Sequence, residues 1–572
     1  MSFKKFLCLL FLILNFNLSV FADDFIPAQP VLNVNQIKTG ELGYILTVLK
    51  GFEPEKIPVK ILDIIPQKPG IDIKNYILVK ITDNHKLARG MSGSPVYVRE
   101  KIIGAVAIGW EFSDHTLGLV TPVEDMCRIF NNANNNNNHF QQNLFTNNNL
   151  FGFTISGFKN SSAVERLARS LGVEINQGFA HTGNLNLTHS ILKPGDAVAT
   201  LLVWGDVEAA ATGTVTLTSK DGRFLGFGHP FLKRGSVNFP SAKAKIHTVI
   251  NNASFPFKLA SPIELNGIIT QDREAGIAGR FGIYPQSIAA FFIFNDLDRN
   301  IKHDFKFRVV NDEFLAPKLL EGIFAGLAEE AWGRKGQGTF IVNLRLDGKN
   351  IPYGWARKNV FFSDSDIAAN AFQNVLNIID VFLTQQFEKN DPVGIRIDVE
   401  ATEKPNVLII ENIETVKEAK PGESIDVKVK LRLWRGGTQE EKFTMQIPND
   451  ATGACELIVR GGGVHSMPQL AIEEGLLSID SLERLLTEIK ALDANNELIL
   501  ELNADELEKA IQQARNKKNK QADDFDENNI PEEKEFLSMT KSRRINEGTL
   551  KILNAGNYFI DGEMKRIIRV VR

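Results

Sequence analysis

A short loop of glycine, serine and proline is the feature of this sequence that most clearly could do chemistry. Residues 90–95 (GMSGSP) lie between two apolar runs with the composition of β-strands. Glycines on both sides of Ser92 allow a tight turn that presents the hydroxyl as a nucleophile. The N–H groups of Gly90 and Ser92 have the spacing of an oxyanion hole, which stabilises the charged intermediate of acyl transfer. A turn that only joins two strands is the alternative interpretation.

The residues around the loop distinguish two ways of presenting a serine. In a nucleophile elbow the serine opens a helix, and a glycine stands two positions after it, where this chain has Ser94. Residues 95–98 and 102–109 are rich in β-branched residues and flank a charged turn at 99–101. This pattern predicts a β-hairpin. A serine nucleophile in a β-barrel therefore fits the sequence better than an elbow.

A histidine at the end of a second hairpin is the candidate base. Residues 214–218 and 224–227 flank a turn that contains Asp-Gly, a strong hairpin signal. The hairpin leads into Gly228-His229-Pro230, and a histidine placed there can accept the proton of a serine. A loop residue without a catalytic role is the alternative for His229 on spacing alone.

The two motifs together resemble those of the SpoIVB peptidase family, named for the stage IV sporulation protein B. Its members are serine endopeptidases of the chymotrypsin-like clan; GMSGSP before an apolar strand is their hallmark, and residues 271–279 (QDREAGIAG) resemble a stretch that follows their Gly-His motif. The resemblance implies a double β-barrel with Ser92 as nucleophile and His229 as base. In the sporulation peptidase the histidine motif comes first, whereas His229 follows Ser92 by 137 residues. The order therefore resembles a circular permutation.

An acid is needed to orient the histidine, and two aspartates are candidates. Asp83 ends a predicted strand just before the serine loop, in a Thr-Asp context similar to that of the family. Asp272 is the alternative because it is close in sequence to the histidine motif. We favour Asp83, although an aspartate there could also only cap a turn. We interpret the neighbouring His85 as a solvated loop residue.

The N-terminus has the three parts of a secretory signal peptide. Lys4-Lys5 precede an apolar stretch over 6–21, and Val20-Phe21-Ala22 has the form of a cleavage site. We expect residues 1–22 to be removed and the protein to be exported, periplasmic or secreted in a bacterial cell envelope. An uncleaved anchor is the alternative, and it is the only membrane contact that we expect.

Composition narrows the classes of partner and cofactor. A net charge of −4 without a basic bias does not favour nucleic acid as a partner. The nine histidines include no His-Glu-x-x-His motif, and we expect neither a metal nor an organic cofactor. Outside the signal region only Cys127 and Cys455 remain, and they either pair or stay two isolated buried thiols.

The expected fold is mainly β: a chymotrypsin-like double β-barrel, circularly permuted, followed by a β-sandwich-like and α/β C-terminal region. The 572 residues are long enough for several cores. After the signal peptide we predict a serine-motif barrel (40–130), an Asn-rich linker (131–149), a histidine-motif barrel with flanking helices (150–345), a helix with an immunoglobulin-like module (346–460), and a helical, charged region with a terminal hairpin (461–572).

The function that these features predict is an exported serine endopeptidase that cuts protein or peptide substrates. Cleavage of the protein by itself is a further hypothesis. The alternative is a peptidase-fold scaffold or binding protein of the cell envelope that has lost turnover. All residues needed for a contact between Ser92 and His229 are present, which favours the enzyme.

Overall fold

The computed structural model describes residues 24–67, 73–131, 152–157, 161–171, 176–177, 185–388, 394–463, 479–503 and 541–571. These residues divide into two compact units. The first holds those up to 154 together with those in 178–202 and 209–285, and the remainder form the second. The expected signal peptide, and all but the first residue of the expected Asn-rich linker, lie outside the described residues.

The first unit begins with a closed six-stranded barrel in the order β1-β2-β3-β6-β5-β4. Its elements, preceded by a 3₁₀ turn at Val34–Gln36, are β1 (Leu42–Val48), β2 (Pro54–Pro66), β3 (Asn75–Ile81), β4 (Pro95–Val98), β5 (Lys101–Ile108), β6 (Leu117–Pro122) and helix α1 (Val123–Cys127). Alternation explains the core: Ile57, Val59 and Ile61 on β2 are buried, while Lys56 and Lys60 face outward. This closed barrel lies within residues 40–130, where the sequence predicted a barrel.

The first unit also contains a second barrel. Three short strands come first in the chain: β7 (Gly152–Ser156), which the division between the units cuts, β8 (Asn176–Gln177), which belongs to the second unit, and β9 (Asn186–Leu187). The barrel strands are β10 (Ala197–Gly205), β11 (Glu208–Thr218), β12 (Arg223–Gly226), β13 (Gly235–Ile250), β14 (Phe257–Arg273) and β15 (Gly276–Phe281); the last residues of β10 and the first of β11 are assigned to the second unit. They follow the order β10-β13-β14-β15-β12-β11, and β10 pairs with β11 to close the ring. The predicted hairpin before His229 is the antiparallel pair β11–β12.

The two barrels pack against each other through an apolar cluster. Ile102 and Ala105 of β5 lie in one cluster with Leu217 of β11, Leu225 of β12 and Ala278 of β15. All eleven residues of β11 are buried, as expected for a strand covered on both faces. The prediction of a double β-barrel is confirmed, and the hairpin that leads to His229 lies on the barrel that carries Ser92.

The second unit begins with a mixed sheet covered by helices. Its elements are α2 (Ser161–Leu171), β16 (Ser287–Asp296), β17 (Ile301–Val310), α3 (Leu315–Trp332), β18 (Gly338–Asp347), β19 (Ala356–Ser363), α4 (Ile367–Thr384) and β20 (Gly394–Thr402), with sheet order β19-β18-β20-β16-β17. Phenylalanines of the sheet and of both long helices form its core. Among the described residues α4 is the one helix long and apolar enough to span a membrane, and half of it is buried inside the protein.

The compact unit that contains the second barrel ends at residue 285, whereas the sequence analysis grouped residues 150–345 with the histidine motif. Strand β16 alternates buried and more exposed residues as a barrel strand does, so its pattern alone could not assign it to a different sheet. Strand β20, which the sequence grouped with the immunoglobulin-like module, pairs with β16 and β18 in the same α/β layer.

The chain ends in a β-sandwich of two sheets around one core. Its elements are β21 (Val407–Glu414), β22 (Glu418–Ala419), β23 (Ser424–Leu433), β24 (Thr438–Gln446), β25 (Gly453–Gly461), α5 (Leu482–Ala491), β26 (Glu497–Asn503), α6 (Lys541–Asn546), β27 (Leu550–Asn554), β28 (Phe559–Asp561) and β29 (Glu563–Val570). Cys455 is buried in this core, whereas Cys127 of the first unit is half-buried, and burial raises the pKa of its thiol to about 12.

Two predictions for the C-terminal region were wrong. The sequence pattern of residues 476–518 predicts a helix. Of the described residues in that range, Leu482–Ala491 form helix α5, whereas the apolar alternation of residues 497–503 forms strand β26, so the prediction was wrong over 497–503. The predicted terminal hairpin does not form, because β27, β28 and β29 pair with β26, β21 and β25 instead. Both errors come from partners that are distant in sequence, which local patterns do not report.

Candidate active site at the junction of the two barrels

The serine loop is a tight turn that only glycine permits. Gly90 and Gly93 have φ angles of +93° and +87°, a region that side chains disfavour. A Cβ on Gly93 would also lie 2.0 Å from the carbonyl oxygen of Thr214 and 2.4 Å from the amide nitrogen of Phe227. The glycine at position 93 therefore allows the loop to touch β11 and the chain that leads to His229.

The loop leaves two N–H groups available, those at the positions predicted for an oxyanion hole. The N–H of Met91 donates to a carbonyl within the turn, and that of Gly93 donates to Val106 O at 2.8 Å. Among the described residues nothing accepts a hydrogen bond from the N–H of Gly90 or of Ser92. Two free donors spaced in this way are able to bind a carbonyl oxygen that gains negative charge.

Ser92 itself is fully buried, and its Oγ has no hydrogen-bond partner within the described part of the chain. A buried hydroxyl without a partner costs roughly 1–3 kcal/mol. Such groups are uncommon in folded proteins and call for an explanation such as a catalytic role.

His229 follows a left-handed turn at the end of β12. Phe227 and Gly228 have φ angles of +65° and +71°, and the carbonyl of Gly228 accepts from the Thr121 hydroxyl at 2.6 Å. The Nδ1 of His229 donates to the carbonyl of Pro230 at 2.7 Å, so the neutral ring carries its lone pair on Nε2. Burial lowers the pKa of His229 to about 4, and the ring is neutral at pH 7.

Thr214 on β11 joins the serine loop to the histidine loop. Its N–H donates to Ser92 O at 2.7 Å, and its own carbonyl accepts from the N–H of Phe227 at 3.3 Å. The carbonyl of Val106 accepts from Gly93 and also lies 3.3 Å from the position of a Cβ on Gly228. The structure thus brings the loops that carry Ser92 and His229 together through Thr214 and Val106.

One part of the chain also matches a known protein family. Residues 19–127 match the family model described as SpoIVB peptidase S55. This segment is similar to the SpoIVB peptidase S55 family. It contains the first barrel and the serine loop and ends before His229. Neither the curated proteins nor the solved structures contain a significant match to the chain.

The structure does not bring Asp83, inside the SpoIVB-type segment, to His229. Asp83 is exposed beyond the end of β3, where its carboxylate accepts from the N–H of His85 at 3.0 Å and contacts the Nδ1 of His85 at 2.8 Å. Its place explains this: the bend after β3 faces solvent, whereas His229 is buried between the barrels.

Asp272, which lies outside the SpoIVB-type segment, is buried next to the histidine loop. Its carboxylate accepts from the N–H groups of Phe231 and Leu232 at 2.7 Å each, and from that of Arg234 at 3.1 Å. Burial raises the pKa of Asp272 to about 6, although these three donors act in the opposite direction. The carboxylate therefore fixes the backbone directly after His229 and Pro230.

A buried polar chain behind the loop of the SpoIVB-type segment was missed by the sequence analysis. The Nζ of Lys258 donates to Thr47 Oγ1 at 2.7 Å, and Ser94 Oγ donates to the same oxygen at 2.8 Å. Ser94 also lies 3.2 Å from Thr214 Oγ1, which donates to Gly90 O at 3.3 Å. A single lysine within the apolar stretch 255–263 (FPFKLASPI) was the available signal.

The described residues contain no group of three or more His, Cys, Asp or Glu side chains placed to hold a metal ion.

Proposed function

We propose that this protein is a serine endopeptidase that acts through an acyl-enzyme. The observation that carries the proposal is the meeting of two loops: one holds Ser92 with two free N–H groups, and the other holds His229 with its lone pair on Nε2. The family match of residues 19–127 supports the same reaction class.

The reaction follows from these groups. Ser92 Oγ forms a bond to the scissile carbonyl carbon while its proton passes to Nε2 of His229. The carbonyl oxygen becomes an oxyanion that accepts from the N–H groups of Gly90 and Ser92, each worth about 3 kcal/mol. When the C–N bond breaks, the amine leaves with the proton from Nε2. Water then repeats the sequence on the ester, and Ser92 regains its proton.

In this proposal Asp272 takes the orienting role through the backbone. The carbonyl of Pro230 accepts from Nδ1 of His229 and so fixes its tautomer. The Asp272 carboxylate accepts from the N–H groups of Phe231, Leu232 and Arg234, which follow Pro230 in the chain. A carbonyl oxygen lacks the full charge of a carboxylate, so it stabilises an imidazolium less strongly. Asp272 is therefore a positioning residue, and Asp83 stays a prediction for which the structure provides no contact with the histidine.

The low pKa of His229 determines at which step the ring can accept the proton of Ser92. A buried imidazole with a pKa of about 4 is a weak base towards an isolated proton. An oxyanion that forms next to it supplies the opposite charge and raises the pKa at that moment. Proton transfer is then coupled to attack, and the neutral resting site does not hold an uncompensated charge.

The burial of both residues adds a step before chemistry. Ser92 is 0% exposed and His229 is 2% exposed. A peptide can reach Ser92 only after local movement of the chain around the loops, so we propose that the structure represents a closed resting state. This burial also favours the second candidate, an inactive scaffold or binding protein of the cell envelope. Export through the predicted signal peptide, and protein or peptide substrates, belong to both proposals.

The test is covalent labelling of the full chain with a fluorophosphonate probe, together with release of peptides from unfolded casein followed by mass spectrometry. Ser92→Ala and His229→Ala are compared with Ser113→Ala and His85→Ala, which alter exposed polar residues whose side chains hydrogen-bond only near their own position in the chain.

The peptidase is supported if Ser92→Ala and His229→Ala lose both labelling and peptide release while the two control variants keep them. Labelling that does not depend on Ser92 refutes the assigned nucleophile. A folded wild-type protein that neither reacts nor releases peptides favours the scaffold.

A further inference from the structure

Lys258 is a fully buried lysine that touches the serine loop. It lies on β14 and is 0% exposed. Its backbone N–H donates to Arg89 O at 2.9 Å, directly before Gly90. Three carbons of its side chain lie 3.1 to 3.3 Å from the position of a Cβ on Gly90. The methylene stem therefore covers the face of Gly90 where a side chain would be.

The amino group continues this contact into the polar chain behind the loop. Its hydrogen bond to Thr47 Oγ1 is shared by Ser94, which in turn approaches Thr214, the residue that holds the carbonyls of Gly90 and Ser92. Within the described residues no carboxylate pairs with this amine. A lysine buried without a countercharge destabilises a fold, so a structural role alone does not account for it.

We propose that Lys258 is a positioning residue for the oxyanion hole: its stem and its amino group hold the Gly90 peptide so that the N–H points at the reacting carbonyl. This inference rests on the proposed peptidase function for its catalytic consequence. The contact of Lys258 with Gly90 is independent of that function and is testable without turnover.

Titration of the amine gives a readout that packing alone would not produce. Burial lowers the pKa of Lys258 to about 7, and only the ammonium form makes a charge-assisted bond to Thr47. The labelling rate is expected to fall above pH 7 as that bond weakens. The other ionisable groups on the elements packed against Lys258 are Tyr44 of β1, Arg89 with its partner Glu111, His115, and Lys243, Lys245 and His247 of β13.

The experiment compares the full wild-type chain with Lys258→Met, which keeps the length of the stem and removes the amine. The matched control is Lys245→Met, an exposed lysine on the neighbouring strand β13. Two quantities are measured at pH 6 and pH 9: the rate of fluorophosphonate labelling, and the hydrogen exchange of a peptide that spans residues 88–94.

We expect Lys258→Met to exchange faster over residues 88–94 and to label about tenfold more slowly at pH 6, since loss of one oxyanion donor costs more than that. Its rate should no longer fall between pH 6 and pH 9. Lys245→Met should behave as the wild type. Unchanged exchange together with an unchanged pH profile in Lys258→Met overturns the proposal.

The two proposals fail in different ways. If the wild type does not label, the peptidase function fails, and the exchange measurement still decides whether Lys258 orders the loop. If Lys258→Met does not fold, Thr47→Val keeps the lysine and removes its acceptor. That variant should show the same faster exchange of residues 88–94, and normal exchange in it would overturn the role of the amine.

Discussion

Gly93→Ala should push the two barrels apart at the candidate site. The loss of stability can be derived by comparison with a matched control, Gly40→Ala. Gly40 and Gly93 have nearly the same φ, +91° and +87°, but a Cβ on Gly40 meets nothing within 4 Å. The left-handed backbone costs a side chain about 1–2 kcal/mol at either position. That penalty cancels when Gly93→Ala is compared with Gly40→Ala.

What remains is the collision of the new methyl group with the second barrel. The methyl on residue 93 would lie 2.0 Å from Thr214 O, about 1.3 Å closer than the usual lower limit for carbon and oxygen. Relief of such overpacking costs about 1–3 kcal/mol. The shift also strains the Ser92–Thr214 and Thr214–Phe227 hydrogen bonds, each worth about 1 kcal/mol. Gly93→Ala should therefore destabilise the barrels by about 3 kcal/mol more than Gly40→Ala.

Hydrogen exchange of peptides from β4 and β5 measures this difference, because it reports the free energy of opening at these strands even in a chain of several domains. Fluorophosphonate labelling in the same samples reports the site. We expect labelling to be lost in Gly93→Ala and kept in Gly40→Ala. Equal exchange and equal labelling in the two variants would refute the contact between the serine loop and the chain before His229.

Four further outcomes follow from the site. Asp272→Asn should lower the free energy of unfolding by about 3 kcal/mol, measured by urea titration, because an amide cannot accept from all three N–H groups that the carboxylate holds. Asp83→Asn should leave the labelling rate within about twofold of the wild type, since exposed pairs are worth little; a loss as large as that of Ser92→Ala would restore Asp83 as the acid. The labelling rate should not fall on acidification until pH is well below 6, because the pKa of His229 is about 4; a labelling rate that falls on acidification near pH 7, in Lys258→Met as in the wild type, would contradict this. The free energy of unfolding should rise between pH 7 and pH 10, by up to about 1.4 kcal/mol per pH unit, because the unfolded chain keeps the proton that folded Lys258 has lost; in Lys258→Met this rise should be absent when urea midpoints are compared.

The parts of the fold that could be predicted from sequence are those in which neighbouring strands pair. The β4–β5 and β11–β12 hairpins have short turns with the expected residues, and their registers join strands that are adjacent in the chain. Alternation also identified the first barrel. The terminal strands were mispredicted because each pairs with a strand far away in sequence. Alternation shows that a strand has a buried face, and it does not identify the sheet to which the strand belongs.

The candidate site likewise has parts that a sequence pattern can indicate and parts that it cannot. Gly90 and Ser92 could be proposed as oxyanion-hole donors because that role depends on spacing within one turn. The orientation of His229 could not, because the partner of Nδ1 is a backbone carbonyl, which has no signature in the sequence. The burial of Lys258 also depends on the packing of β14 against the serine loop, and a sequence pattern shows only that one lysine interrupts an apolar run.

The order of the two motifs in the chain places no constraint on the contact between them. The serine loop is held by Thr214 and Val106, and the histidine loop is held by Thr214, Thr121 and Asp272. Each of these bonds joins a loop to a strand, and none involves the connection that runs from one barrel to the other. Closing a longer connection costs only about 0.6 kcal/mol for each doubling of its length. A pair of barrels can therefore be assembled with the barrel of the serine loop first in the chain.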